Sequence, residues 1–226
     1  MEQGGDQVPD VEARAALLLQ IRRAGVRDLG VMRAIETVPR EFFAPYRFRD
    51  LANRNIALPI GCGQIMPSAS DLAQRFEALG VERSHRVLEV GAGSGYGAAL
   101  LSKLAREAVS LERFQTLAIE AAKRLEHLGV TNALVLFADG LAPPHSLGVF
   151  DRIVMHMSVE APPQSILDAL APRGVLLFGR LLPEEEGERR RERLVRLSRE
   201  ADNSLREMDL GPCRLGAALA GVAQAL

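Results

Sequence analysis

The stretch RVLEVGAGSGYGAALL at residues 86–101 constrains this chain more than any other. An apolar run carrying Val87 and Val90 leads into glycines at 91, 93 and 95, and then into a second apolar run with helical spacing. Strand, tight turn and helix in that order open a βαβ unit. The glycines remove side chains that would block a close approach, and they allow positive φ. In an open parallel sheet ligands lie beyond the carboxyl ends of the strands, so this turn is where backbone and ligand meet. A dinucleotide site asks for G-x-G-x-x-G, but Tyr96 holds the sixth position. The pattern here is G-x-G-x-G with Glu89 two residues ahead, which suits a cofactor without a pyrophosphate.

Downstream of Arg86, short apolar runs alternate with amphipathic ones. RVLEV, AVSLE, ALVLF, RIVMHM and VLLFGRL are the predicted strands, and GAALLSKLA, TLAIEAAKRLEHLG and APPQSILDALAP the helices between them. Right-handed crossovers then build a mostly parallel sheet with helices on both faces. RLVRLSRE, ADN and SLREMDL read as alternation, turn and alternation, a C-terminal antiparallel hairpin that brings the sheet to seven strands. Upstream, Leu17, Leu18, Ile21, Val31 and Ile35 recur at helical intervals, with breaks at Gly25 and Gly30 and a stop at Pro39. DLAQRFEAL, acidic in its first turn, predicts a further helix. The expected fold is a three-layer, Rossmann-like α/β protein with an N-terminal helical segment.

Composition narrows the function classes. The 226 residues are 47% hydrophobic, enough to bury a substantial core. Lys and Arg total 28 against 29 Asp and Glu, so no bulk charge draws the chain to nucleic acid. The run EEEGERRRE alternates acids and bases and reads as a solvated loop tip. Cys62 and Cys213 lie far apart without metal-ligand spacing, as free thiols do in a reducing compartment. The opening MEQGGDQVPD lacks the basic-then-apolar pattern of a signal peptide, and no apolar run reaches membrane-spanning length. A soluble cytoplasmic protein is expected.

Two acids check the ligand reading independently of the glycines. Glu112 ends the second strand of the series, twenty-one residues after Gly91, where a carboxylate accepts hydrogen bonds from both ribose hydroxyls. Asp139, in FADG, ends the third, in reach of an adenine amino group. Each signal alone has a bland alternative, a tightened loop or a helix cap. In this order and spacing they converge on an adenosine-shaped cofactor.

VLEVGAGSGYGAALL, SLER, FADG and FDRIV resemble the S-adenosylmethionine-dependent methyltransferase fold. AIETVPREFFAPY followed by ALPIGCGQ narrows the resemblance to the protein-L-isoaspartate O-methyltransferase family, over about residues 21–177. The resemblance implies that S-adenosylmethionine is the cofactor, with Gly91, Ala92 and Gly93 passing beneath its methionine part and Gly95 a further cofactor-binding glycine. Glu112, with Arg113 beside it, would hold the ribose, and Asp139 and Gly140 would flank the adenine. Pro59, Ile60, Gly61 and Gln64 would cover the cofactor and receive an isoaspartyl peptide or protein. The expected organisation is then a helical and substrate-covering segment over residues 1–80 and a sheet domain over 81–226, in one compact unit. That unit would work as a monomer or weak dimer, without nucleic acid or membrane. The implied reaction methylates the free carboxylate of an L-isoaspartyl residue, and the ester then closes to a succinimide.

The chain departs from the family pattern at several positions. Where G-Q-T-I-S is usual it reads Gly63, Gln64, Ile65, Met66, Pro67, so the hydroxyl expected at Pro67 is absent. Asn55 replaces a common aspartate, and His156 and Met157 stand where Thr and Ala are usual. Ser68 is the candidate for a displaced catalytic hydroxyl, with Ser70 as a second source or as a helix cap. His156 is placed among the substrate-binding residues. It either packs locally or acts as a base toward a neutral nucleophile, and the second option would mean another methyl acceptor. A binding protein without turnover is the third reading. A carboxylate needs no base, since its pKa near ~4 leaves it ionised. A dry site without extra cations is expected to favour discharge of the sulfonium.

Overall fold

The computed structural model describes residues 11–183 and 191–223, so most of the predicted charged loop tip, at 184–190, lies outside the described residues. The N-terminal part contributes helices α1 (Val11–Arg23) and α2 (Leu29–Thr37), short strands β1 (Leu58–Pro59) and β2 (Ile65–Met66), and helix α3 (Ala69–Leu79). Then follow β3 (Arg86–Val90), α4 (Tyr96–Leu104), β4 (Glu107–Glu112), α5 (Gln115–His127) and β5 (Ala133–Phe137). The chain continues with β6 (Phe150–Val159), α6 (Gln164–Asp168), β7 (Leu170–Leu181), β8 (Glu192–Arg199) and β9 (Leu205–Cys213).

Seven strands form one sheet in the order β5-β4-β3-β6-β7-β8-β9, parallel from β5 to β7. β8 pairs antiparallel with both neighbours, so it alone runs against the rest and the expected hairpin closes one edge. Strand alternation splits the core in two. Val87, Ala108, Val154, Val175 and Leu177 pack with the N-terminal helices, while Leu88, Val90, Val109, Leu111, Ile153, Met155 and Phe178 form the opposite core with Ile166 of α6. The first cluster runs without interruption from Leu17 of α1 to Leu177 of β7, so the N-terminal segment shares its core with the sheet.

Several elements differ from expectation: β1 and β2 form in a stretch without predicted strands, β7 starts at Leu170 rather than Val175, and two further differences have a clear physical cause. The helix predicted over APPQSILDALAP shrinks to Gln164–Asp168, because Pro163 can serve only as its N-cap and Leu170 pairs with Phe150 in the sheet. β6 is longer than RIVMHM and bulges. Between the pairs Val154↔Leu177 and Ser158↔Gly179, four steps along β6 match two along β7. The bulge carries His156 and Met157 at the carboxyl edge of the sheet, where the strands part.

Candidate active site

A cavity of about 480 Å³ opens at the carboxyl ends of β3, β4 and β6, within the roughly 300–1,000 Å³ usual for small-molecule sites. Its floor is the turn after β3. Gly91 and Ala92 donate their amides to the carbonyl of Leu111 at 2.8 and 3.1 Å, which ties the turn to β4. Gly93 has φ +54, and a Cβ there would stand 3.3 Å from Cδ1 of Ile60. Glu112 straightens the turn from the other side. One carboxylate oxygen accepts from the Gly93 amide at 2.8 Å and the other from the Phe114 amide at 2.9 Å. Each oxygen retains a further lone pair.

Asp139 shows the same economy, accepting from the Leu141 amide at 2.9 Å and from the Gly221 amide at 2.8 Å. Gly140 beside it has no room for a side chain, since a Cβ would overlap Cγ1 of Val90. Arg113 holds the Gly221 carbonyl at 3.1 Å. A wall formed by residues 214–219 runs along this rim, with Leu215 and Gly216 donating their amides to Glu192 at 2.7 and 3.2 Å. That C-terminal wall carries no motif that sequence reasoning would pick out.

The opposite side is the small hairpin of β1 and β2. Leu58 pairs with Met66 and Pro59 with Ile65, and the reversal between them is sharp enough to hold Cys62 at φ +57. Ile60 lies against the glycine turn, and a Cβ on Gly61 would meet Cδ2 of Leu117 at 3.4 Å. Burial raises the Cys62 thiol pKa, and Glu112 and Glu120 raise it further, so this cysteine is a poor nucleophile. The hairpin is anchored by Arg40 of the VPREF segment. Its guanidinium is buried and donates to the carbonyls of Ala52 at 2.6 Å, Arg54 at 3.2 Å, Ile56 at 2.8 Å and Pro67 at 2.9 Å. Burial pulls its pKa down, opposed by the nearby Tyr96 hydroxyl.

Of the residues named from sequence, Gly91, Ala92, Gly93, Glu112, Arg113, Asp139, Gly140, Gln64, His156 and Pro67 line the cavity. Gly95, Pro59, Ile60, Gly61 and Ser68 do not line it, and Pro59 and Gly61 are exposed to solvent. At φ +87 a Cβ on Gly95 would stand 2.9 Å from Cβ of Ala121, so this glycine lets α4 and α5 approach each other. The Ser68 hydroxyl caps α3, accepting from the Asp71 amide at 3.2 Å and pairing with the Ser70 hydroxyl at 3.3 Å. Ser70, the cap suggested by sequence, is instead gripped by Asn55. Its hydroxyl accepts from the Asn55 amide nitrogen at 2.9 Å, and its backbone amide donates to the Asn55 oxygen at 3.0 Å.

Sequence reasoning missed the polar chain on the helix-facing side of the sheet. Glu89 is 1% exposed and accepts from the Ser110 hydroxyl at 2.6 Å and from His156 Nε2 at 3.0 Å. The other ring nitrogen, Nδ1, lies 3.1 Å from Nη1 of Arg75 on α3. A guanidinium only donates, so the network assigns Nδ1 as acceptor and places the single ring proton on Nε2, facing Glu89. His156 therefore has no free lone pair to act as a base. Gly97 makes room for this chain, because a Cβ there would overlap Oε1 of Glu89. Arg75 also departs from the expectation of a site without extra cations.

Among known proteins, the model of the protein-L-isoaspartate(D-aspartate) O-methyltransferase family matches residues 12–216. A protein-L-isoaspartate O-methyltransferase 2 of Rhodopseudomonas palustris (strain HaA2) is 43% identical, over 92% of this chain and 93% of the relative. One from Bradyrhizobium sp. (strain ORS 278) is 41% identical over 92% and 94%. Among solved structures, a protein-L-isoaspartate O-methyltransferase superposes with a TM-score of 0.78 at 23% identity, over 92% of this chain and 67% of its own. A protein from Plasmodium falciparum, described as a crystal structure of this kind of enzyme in complex with S-adenosyl-L-homocysteine, gives 0.74 at 19% identity, over 90% and 97%. These two structural likenesses speak for the fold, and the match of sequence over most of its length shows that the chain belongs to the protein-L-isoaspartate(D-aspartate) O-methyltransferase family.

Proposed function

We propose that this chain transfers a methyl group from S-adenosylmethionine to the free carboxylate of L-isoaspartyl residues in damaged proteins. The observation that carries the reading is one cavity in which the glycine turn, Glu112 and Asp139 face the β1–β2 hairpin and α3. The residues fit an adenosyl amino acid. The turn admits a ligand against bare backbone, Glu112 keeps lone pairs for two ribose hydroxyls, and Asp139 with Gly140 meets the adenine edge. Bound there, the cofactor supplies a methyl group on a positively charged sulfur.

The chain's own task is then placement. The acceptor carboxylate is ionised at neutral pH, its ordinary pKa being ~4, so no base is needed and His156 supplies none. Its attack forms a C–O bond as the S–CH3 bond breaks, with the electron pair left on sulfur and no proton moved. Holding one oxygen in line with the methyl is an orientation effect worth about 7 to 11 kcal/mol in favourable cases. Pro67 and Met66 line the acceptor side, and Arg40 fixes the Pro67 carbonyl behind them. Ser68 serves by capping α3, which positions Asp71, Leu72 and Arg75 along the cavity. The working unit is read as a monomer or weak dimer in the cytoplasm. The near balance of 28 basic and 29 acidic residues supports a reading without nucleic acid.

Labelled methyl transfer to an isoaspartyl peptide, with its aspartyl twin as control, tests the proposal. Base-labile label on the isoaspartyl peptide alone is the expected result. Saturable cofactor binding with no transfer to that peptide would refute it.

A further inference from the structure

We propose that Arg75 is the carboxylate-binding cation of this site, held there by His156 as a neutral bridge to Glu89. The inference rests on the functional reading above for the identity of its ligand, and on geometry for the site itself. Arg75 is 9% exposed and lines the cavity beside Leu72. Among the described residues its one hydrogen bond goes to an uncharged ring nitrogen. No acid among the described residues forms an ion pair with it. Asp71, one helical turn back, acts on it through charge alone. Burial accordingly pulls the Arg75 pKa down, with Asp71 and Cys213 opposing.

Unlike Nε of Arg40, the remaining Arg75 nitrogens are not sealed in the protein interior without a partner, so on this cavity-lining residue they stand open to a ligand. The polar chain behind it explains how it stays in place. Ser110 and His156 satisfy both oxygens of Glu89, and the imidazole lone pair aligned by that carboxylate accepts from Nη1 of Arg75. The Nε and Nη2 groups are left for a ligand. An anion with two coplanar oxygens matches that fork. Two such groups enter the cavity in the proposed reaction, the isoaspartyl carboxylate and the carboxylate of the cofactor's amino-acid tail. The cofactor's tail carboxylate, which does not react, can take both arms of the fork, whereas the acceptor carboxylate would be held through one oxygen and present the other to the methyl. Methylation removes its charge and so loosens the hold, which favours release of the ester.

Arg75→Gln separates the sources. Binding of S-adenosylhomocysteine, and of methylthioadenosine, which lacks the amino-acid tail, is measured by calorimetry, and KM and kcat by methyl transfer. Loss of a charge-assisted contact corresponds to about tenfold to hundredfold. If the substrate is the ligand, KM for the isoaspartyl peptide rises by that factor while both nucleoside affinities hold. If the cofactor tail is the ligand, S-adenosylhomocysteine weakens by that factor and methylthioadenosine does not. Unchanged constants throughout, or equal weakening of both nucleosides, would overturn the proposal. His156→Asn, as a positioning change, should move the same constant in the same direction and be non-additive with Arg75→Gln. A wild-type protein inactive on the isoaspartyl peptide would sink the functional reading by itself, and the two nucleosides would still judge Arg75.

Discussion

Replacing Arg40 by Met tests the claim that one buried cation holds the β1–β2 hairpin. The guanidinium makes four charge-assisted bonds to backbone carbonyls at 52, 54, 56 and 67. At about 1.5 to 3 kcal/mol each, these sum to a gross of roughly 6 to 12 kcal/mol. Removing the charge also relieves several kcal/mol of desolvation, and the wild-type side chain already carries one unpartnered buried nitrogen, Nε. Of the four acceptors only Ala52 belongs to a fully buried residue, and the others regain water when the loop loosens. The net loss is therefore about 3 to 5 kcal/mol, which for a chain of this size lowers the melting temperature by roughly 10 °C. Urea unfolding followed by circular dichroism measures the stability, and calorimetry with S-adenosylhomocysteine reads the hairpin's contribution to the cavity. Arg40→Lys should recover less than half, because a point ammonium cannot span four carbonyls. A Met variant as stable as the wild type, with equal affinity for the nucleoside, would refute the reasoning.

Three further outcomes follow from the same geometry. In Glu112→Gln an amide NH2 must face either the Gly93 or the Phe114 amide, both donors, so the turn loses one clamp; calorimetry should show S-adenosylhomocysteine weakened by about tenfold or more. Gly95→Ala combines φ +87 with a Cβ 2.9 Å from that of Ala121, and should cost about 1 to 3 kcal/mol in chemical unfolding. The Arg86 hydrogen bond at 2.8 Å holds the Glu107 carboxyl below its ordinary pKa. A lowered folded pKa means that this stabilisation is complete above the unfolded carboxylate range and fades as pH falls through the folded pKa. The melting difference between wild type and Glu107→Gln should accordingly be full at pH 7 and shrink as the pH falls below the ordinary carboxylate range, and a difference that persists undiminished in strong acid would contradict it.

Much of the architecture was legible because it is written in local periodicity. The first four parallel strands, the helices after β3 and β4, the hairpin and the glycine turn all stand within a few residues of expectation, and β7 begins five residues early, in the stretch predicted as helix. Glu112 and Asp139 were legible for a related reason: the length of a βαβ unit is nearly constant, so position in the chain reports position along the strand ends. The exceptions are instructive. APPQSILDALAP has helical spacing, but its last turn was lost to sheet pairing at Leu170. Ser68 and Ser70 both look like caps or catalysts in sequence, and only the grip of Asn55 on Ser70 assigns the cap to Ser68.

The sequence by itself determined the sheet, the glycine turn and the acids at the strand ends beside it, since these depend on repeats and spacings a few residues long. Only the tertiary structure decided that Arg75 meets His156, 81 residues away, that Glu89 stands behind that ring, and that residues 214–219 wall the cavity. The reason is physical. Such contacts are made by packing α3 and the C-terminal stretch against a bulged strand edge, and side chains brought together from distant segments leave no periodic trace in the chain.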